Sequence, residues 1–282
     1  MSIRNAVHLI TYPDSLGGDL SALTTLLERH YHDALGGVHI LPFYPSTADR
    51  GFAPVTYEQV DQRFGTWDDL EALRSSFQLT VDYMINHISR QSHYVQDFTQ
   101  HHDASAYADM FVRFHEFWPG GAPTRAQLDR IYKRKPRDPY VELQFADGSS
   151  ERIWCTFDEE QIDIDWSSAT ARSVAAQQLR SLANRGIGML RLDAFAYATK
   201  RPDTDCFFLE PEVWDILGFV RDQVAPFPGP QENLAQVFRR CPAGIFSLDN
   251  DVVFPAPIDV GGNLSGGQHG LQCKADIFHS NV

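Results

Sequence analysis

Four short apolar runs, each turning abruptly polar at its C-terminal end, constrain the fold of this chain more than any other feature. They are Val7 to Tyr12, Val38 to Phe43, Leu79 to Asn86 and Gly188 to Asp193. A strand that is apolar throughout is covered on both faces, and a parallel sheet flanked by helices is the arrangement that provides this cover. The first, second and fourth runs are followed by amphipathic segments, Leu20 to Tyr31, Trp67 to Phe77 and Pro211 to Val224, whose spacing predicts helices. After the third run the next helical pattern, Ser167 to Arg185, comes only after a long excursion. The alternation predicts an α/β fold. The polar ends of HILPFYPS, VDYMINH and MLRLDA would then gather at the C-terminal edge of the sheet, where barrel sites open.

The excursion from Ile88 to Trp166 reads as an inserted subdomain. It is rich in aromatics and turn residues, as in FHEFWPGGAPT and QFADGSSERIW, and such insertions shape pockets. The expected organisation is the first part of a catalytic barrel over residues 1–87, the insertion over 88–166, the barrel's continuation over 167–225, and a divergent tail over 226–282. Closing an eightfold barrel after Asp193 would take four more units of about 30 residues each, more than the remaining sequence holds. From Pro226 onward, PFPGPQ, PAPIDVGGN and SGGQHG are turn-rich clusters with no period and no credible fifth strand. The expectation is an incomplete (β/α)8 barrel with open strand edges and a tendency to self-associate.

The formal charge of -13 argues against nucleic acid or an anionic membrane as partner. No run approaches the roughly 18 apolar residues of a membrane span, and the first fifteen residues lack a signal-type core, which predicts a cytoplasmic protein. Cys155, Cys206, Cys241 and Cys273 have neither metal-ligand spacing nor a disulfide pattern, so free thiols are expected.

Three motifs could carry chemistry. In GMLRLDA, Arg191 and Asp193 are two apart on a strand and point the same way. A fixed cation there would keep the carboxylate ionised as a nucleophile, and a purely structural ion pair explains the motif equally well. In VDYMINH, Asp82, Asn86 and His87 could form a hydrogen-bonded rim with His87 donating to a sugar hydroxyl, although a lone strand-end histidine is more often structural. In PSTADRGFAPVTY, Asp49 could accept from two sugar hydroxyls while Phe52 and Tyr57 offer flat faces; ordinary turn chemistry is the competing reading. The basic run YKRKPR, Tyr132 to Arg137, could hold a phosphate or be a solvated turn.

Together these segments resemble the α-amylase superfamily, from about Val7 to Val224 and in the family's motif order. VDYMINH matches its first signature and GMLRLDA its second. HILPFYPSTADRGFAPVTYEQVDQRFGTWDDL and EEQIDID narrow the resemblance to the sucrose phosphorylase branch. Within it, MINHISRQSHYVQDF, HDASAYAD, IYKRK and RLDAFAYATK look most like the sucrose 6-phosphate phosphorylases.

The resemblance implies Asp193 as nucleophile, Arg191 as its electrostatic partner, and Asp49, His87 and Phe52 around the glucosyl unit. Asp82 and Asn86 would be supports, Gln161 would border the acceptor side, and Arg134 would meet the acceptor's phosphate. It implies a retaining double displacement on sucrose or sucrose 6-phosphate with inorganic phosphate as second substrate, and no cofactor or metal. The family's general acid, a Glu closing the fifth strand, has no match; Glu232 in GPQENLAQ lacks a preceding strand. The expectation is therefore a shortened chain with little activity of its own. Hydrolysis by an amylase-type glucosidase, and a sugar-binding or inert fragment, are the alternatives.

Overall fold

The computed structural model describes residues 6–224, together with the backbone of Ile245–Phe246 and Val252–Pro255. The elements, in chain order, are β1 (His8–Thr11), α1 (Leu20–His30), β2 (Gly37–Ile40), α2 (Trp67–Ser76), β3 (Gln78–Met84), β4 (His87–Ser89), α3 (His93–His101), α4 (Phe114–Phe117) and α5 (Arg125–Arg130). There follow β5 (Tyr140–Gln144), β6 (Ser150–Trp154), β7 (Gln161–Asp163), α6 (Ala169–Asn184), β8 (Met189–Asp193), α7 (Glu212–Val224), β9 (Ile245–Phe246) and β10 (Val252–Pro255).

All four apolar runs form strands, and β1, β2, β3 and β8 pair in that order as a parallel sheet. This is part of an α/β barrel. Every residue of β2 is buried, as is all of β3 after Gln78, because helices cover one face and the barrel interior the other. The β3–β8 register sets Asp82 opposite Arg191 and Met84 opposite Asp193, so the polar ends of two strands meet at one edge.

The helices start where the sequence supplies caps. The Asp19 carboxylate accepts from the Ala22 amide at 2.7 Å to open α1, Thr66 and Asp69 form a capping box on α2, and Ser168 accepts from the Ala171 amide to open α6. Leu20, Leu23 and Leu27 of α1 and Leu179 and Leu182 of α6 then bury against the sheet.

One sequence expectation needs correction. Instead of leaving the edge of β8 open, the structure lays β10 against it, antiparallel, with Val252 opposite Leu192 and Pro255 opposite Met189, and β9 pairs outside β10. A short strand flanked by turn-rich sequence carries too weak a pattern to be recognised. The orientation is opposite to that of a further parallel barrel unit. Among described residues β1 pairs only with β2, and Val7 and Ile10 are exposed there.

The excursion after β3 leaves and returns as a two-stranded ribbon, β4 antiparallel to β7, with His87 opposite Asp163 and Ser89 opposite Gln161. It carries the hairpin β5–β6 and a satellite core in which Phe114, Phe117, Trp118 and Trp154 pack as a set of rings. The ribbon returns two polar residues, Gln161 and Asp163, to the end of β3.

Candidate active site

Asp193 ends β8 with its side chain 17% exposed, and the next residue, Ala194, turns the chain through a left-handed conformation at φ 56°. The carboxylate is thereby left at the strand's mouth rather than carried into a helix. Arg191, two residues earlier, lies 3.4 Å from it. Its shorter bond, however, crosses the sheet: Arg191 Nη1 donates to Asp82 Oδ1 at 2.5 Å. Asp82 is fully buried, its other oxygen 3.1 Å from His39 Nε2, and the Tyr44 hydroxyl donates to its backbone carbonyl. Because the guanidinium is anchored on Asp82, it can face Asp193 as a fixed cation without clamping it.

The second cluster forms around His87, 1% exposed. Asn86 Nδ2, which can only donate, sits 3.3 Å from His87 Nδ1, an arrangement that suits an accepting Nδ1 and a ring proton on Nε2, where the Phe52 carbonyl lies nearer than the Gln161 amide nitrogen at 3.2 Å. That N–H donates to the Phe52 carbonyl at 2.8 Å. Burial pushes the pKa of His87 down, against the upward pull of Asp163, the Phe52 carbonyl and Asp49. The ring is therefore a neutral donor. Gln161, also buried, gives Nε2 to the same Phe52 carbonyl at 3.0 Å and approaches Asp49 Oδ2 at 3.4 Å, while its Oε1 has no partner.

The Phe52 loop is held by close backbone packing. Asp49, Arg50 and Gly51 all have positive φ, and a Cβ on Gly51 would stand 2.7 Å from Pro42. Asp49 is exposed and Phe52 half-buried, with the Arg191 guanidinium 5.9 Å from the Phe52 ring centre, so Phe52 joins the two clusters.

The structure thus gathers Asp193, Arg191, Asp82, Asn86, His87, Gln161, Phe52 and Asp49 at one end of the sheet. Two expectations change. Tyr57 is not a sugar platform: it is 2% exposed, wedged between Tyr44 and Tyr83 at 4.8 and 4.7 Å, with its hydroxyl on the Met84 backbone. The His87 donor is engaged by the Phe52 carbonyl rather than open to a sugar hydroxyl. Arg134 is exposed and outside both clusters. It lies close enough to Tyr197 to oppose the effect of burial and of Tyr132, which together push that phenol up to about 12.

Sequence reasoning missed five neighbours. His39 backs Asp82; Lys200 backs Asn86 and is itself paired with Asp163; and Phe157 and Tyr197, with ring centres 5.1 Å apart, continue an aromatic wall from His87 toward Tyr132 and Phe207. The dense aromatics in RLDAFAYATK and WCTFDEE were the available signal. A separate cavity of about 310 Å³ is lined by Thr199, Lys200, Trp166 and Glu212 among others, and neither Arg191 nor Asp193 reaches it. No described helix is long and apolar enough to cross a membrane, and Cys155 and Cys206 are buried free thiols; Cys241, Cys273 and Glu232 lie outside the described residues.

Residues 7–215 match the family model for the alpha amylase catalytic domain. The chain belongs to the α-amylase family. Within it the chain falls in the sucrose phosphorylase branch. It is 52% identical over 225 residues to a sucrose phosphorylase of Streptococcus mutans, covering 80% of this chain and 47% of that protein. To a glucosylglycerol phosphorylase of Marinobacter adhaerens it is 44% identical, over 80% of this chain and 46% of the relative. The crystal structure of sucrose 6F-phosphate phosphorylase from Thermoanaerobacter thermosaccharolyticum superposes with a TM-score of 0.77 at 41% identity, again over 80% of this chain and 47% of the other. The chain spans about half the length of the relatives it matches.

Proposed function

We propose that this α-amylase family chain carries the glucosyl-binding and nucleophile-bearing part of a retaining glycoside phosphorylase acting on a sucrose-type α-glucoside. The observation that carries the reading is Asp193 at the mouth of β8, faced by an Arg191 that a buried Asp82 fixes in place. Asp193 attacks the anomeric carbon, the bond to the fructosyl oxygen breaks, and that oxygen takes a proton from a general acid. Inorganic phosphate then attacks the glucosyl ester from the other face, releasing α-glucose 1-phosphate and restoring the carboxylate. Asp49, Phe52 and His87 surround the glucosyl unit, with Asp82 and Asn86 as supports. Gln161 borders the acceptor, and Arg134 meets a phosphate where the acceptor carries one.

The acceptor half is the finer question. Three relatives of comparable identity are named for sucrose, glucosylglycerol and sucrose 6-phosphate, so identity does not choose among them.

Retention requires a second carboxyl about 5 Å from the nucleophile, and the motif match supplies no residue for it. The expected outcome with this chain, sucrose or sucrose 6-phosphate, and phosphate is little or no glucose 1-phosphate. The first half of the reaction can be tested without an acid by α-glucosyl fluoride, whose fluoride leaves unprotonated. Intact-mass measurement should show one glucosyl unit added, on Asp193 by peptide mapping, and none in Asp193→Asn. Labelling at another carboxylate, or unchanged labelling in the variant, would remove Asp193 from the role.

A further inference from the structure

Lys200 is buried and saturated. Its side chain is 4% exposed, and its three N–H groups are directed at Asp163 Oδ2 (2.9 Å), Tyr197 O (2.9 Å) and Asn86 Oδ1 (3.0 Å). The Trp154 ring lies 5.7 Å from the ammonium. These oxygens belong to three separate segments: the insertion's returning strand β7, the turn after β8, and the end of β3. Asp163 is itself fully buried and takes Thr156 N and Oγ1, so Lys200 supplies its only charged partner among the contacts described.

The consequence lies one residue further on. An Asn side chain is nearly symmetric in shape, and its orientation is set by what its two ends meet. An ammonium can only donate, so Lys200 requires Asn86 to present Oδ1 to it and Nδ2 to His87 Nδ1. That in turn leaves Nδ1 as an acceptor and puts the ring proton on Nε2, where the Phe52 carbonyl receives it. If the amide were reversed, Asn86 Oδ1 would call for a proton on His87 Nδ1. The bare Nε2 lone pair would then face the Phe52 carbonyl oxygen at 2.8 Å, and the donor left to it would be the more distant Gln161 Nε2 at 3.2 Å, which already serves that carbonyl.

We propose that Lys200 is a positioning residue that sets the tautomer of His87 through Asn86, and so decides that the imidazole presents an N–H toward the Phe52 loop and the glucosyl site. Its place in catalysis rests on the proposed phosphorolysis; the tautomer itself does not.

The test is long-range ¹H–¹⁵N NMR of the ¹⁵N-labelled chain, with His87 assigned by its loss in His87→Gln. It needs no turnover, so its failure and a failure of the phosphorylase reading are seen separately. The wild-type chain should show a protonated Nε2 and an unprotonated Nδ1. Lys200→Met keeps the length of the side chain and removes the donor, and the Nε2–H form should fall from dominant to a minority. Asp163→Asn disturbs the same ion pair but leaves the Lys200–Asn86 bond, and should keep the wild-type tautomer. Where the stranded Asp163 charge prevents Lys200→Met from folding, Lys200→Met/Asp163→Asn is read in its place, with the same loss expected. A wild-type Nδ1–H form, retention of Nε2–H in the Lys200 variant that folds, or an equal shift in Asp163→Asn would each overturn the proposal.

Discussion

Asp82→Asn changes one buried charge and almost no volume, which makes it the sharpest probe of how the strand that ends in Asp193 is held. In the native chain Asp82 has no exposed surface and balances Arg191 at 2.5 Å, with His39 on its other oxygen. Deleting one partner of a buried ion pair costs about 3–5 kcal/mol, because the other charge remains without compensation. Arg191, however, is 17% exposed and still has Asp193 at 3.4 Å, so the stranded cation keeps some water and a second carboxylate. The loss should therefore fall at or just below the lower end, about 2–3 kcal/mol. For a domain of this size that is a fall of about 4–12 °C in Tm. The internal control is Asp14→Asn, whose partner Arg50 is 3.0 Å away but whose pair is 40% and 58% exposed. Exposed pairs are worth about 0–1 kcal/mol, so its melting point should move by no more than about 4 °C. Urea and thermal unfolding followed by circular dichroism, at equal m-values, give both numbers. If Asp82→Asn cost no more than Asp14→Asn, the picture of Arg191 as a cation anchored on Asp82 would be wrong.

Other perturbations follow from the same geometry. Gly51→Ala puts a Cβ at φ 111° and 2.7 Å from Pro42, so the Phe52 loop must move; a loss of about 1–3 kcal/mol and weaker labelling by glucosyl fluoride are expected, measured by urea unfolding and mass spectrometry. Asp19→Ala removes the cap on α1 and should cost about 1 kcal/mol, while leaving the labelling intact. His87, its pKa held down by burial, contributes stability that is fully present above its unfolded value of about 6.5 and is lost as pH falls toward the folded one. His102 is the opposite case. Its bond to Glu151 raises its pKa, so its contribution is present below about 6.5 and lost as pH rises through the folded value. In unfolding midpoints between pH 5 and 8, His87→Gln should flatten the loss toward acid, and His102→Gln should steepen it.

The strands were readable because each is a closed apolar run, and a parallel sheet buries such runs whatever their partners. What the sequence could not show was which side chains those partners bring. Period-two alternation places Arg191 beside Asp193, yet the shorter bond is to Asp82, a contact that exists only because β3 and β8 pair in one particular register. Tyr57 illustrates the same limit from the other side. In a polar loop an aromatic suggests a ligand platform, but this loop folds back over the sheet and seats the ring between Tyr44 and Tyr83. Lys200 was invisible for a stronger reason: its three acceptors come from segments that meet only when the insertion returns to the barrel. The antiparallel β10 carries too few residues for a pattern to distinguish it from its turn-rich surroundings.

Under the proposed function, burial also distinguishes the glucosyl half of the site from the acceptor half. Asp82, Asn86, His87 and Gln161 are each no more than 1% exposed; Asp82 is tied to Arg191 and His39, while Asn86 bonds to His87, and His87 and Gln161 share the Phe52 carbonyl. Changing one leaves a buried polar neighbour unpaired, a cost of about 1–3 kcal/mol that ties each group together. Tyr132 and Arg134, at the outer end of the aromatic wall, are exposed, and substitution there leaves no buried partner stranded. If the proposed roles hold, a rim of that kind can change its acceptor without disturbing the buried cluster, in keeping with relatives of similar identity named for different acceptors. Arg134→Ala, made in a chain of the relatives' full length, should then weaken use of sucrose 6-phosphate relative to sucrose while leaving kcat/KM for sucrose within a few-fold. An equal loss on both sugars would mean that Arg134 supports the wall rather than reads the acceptor.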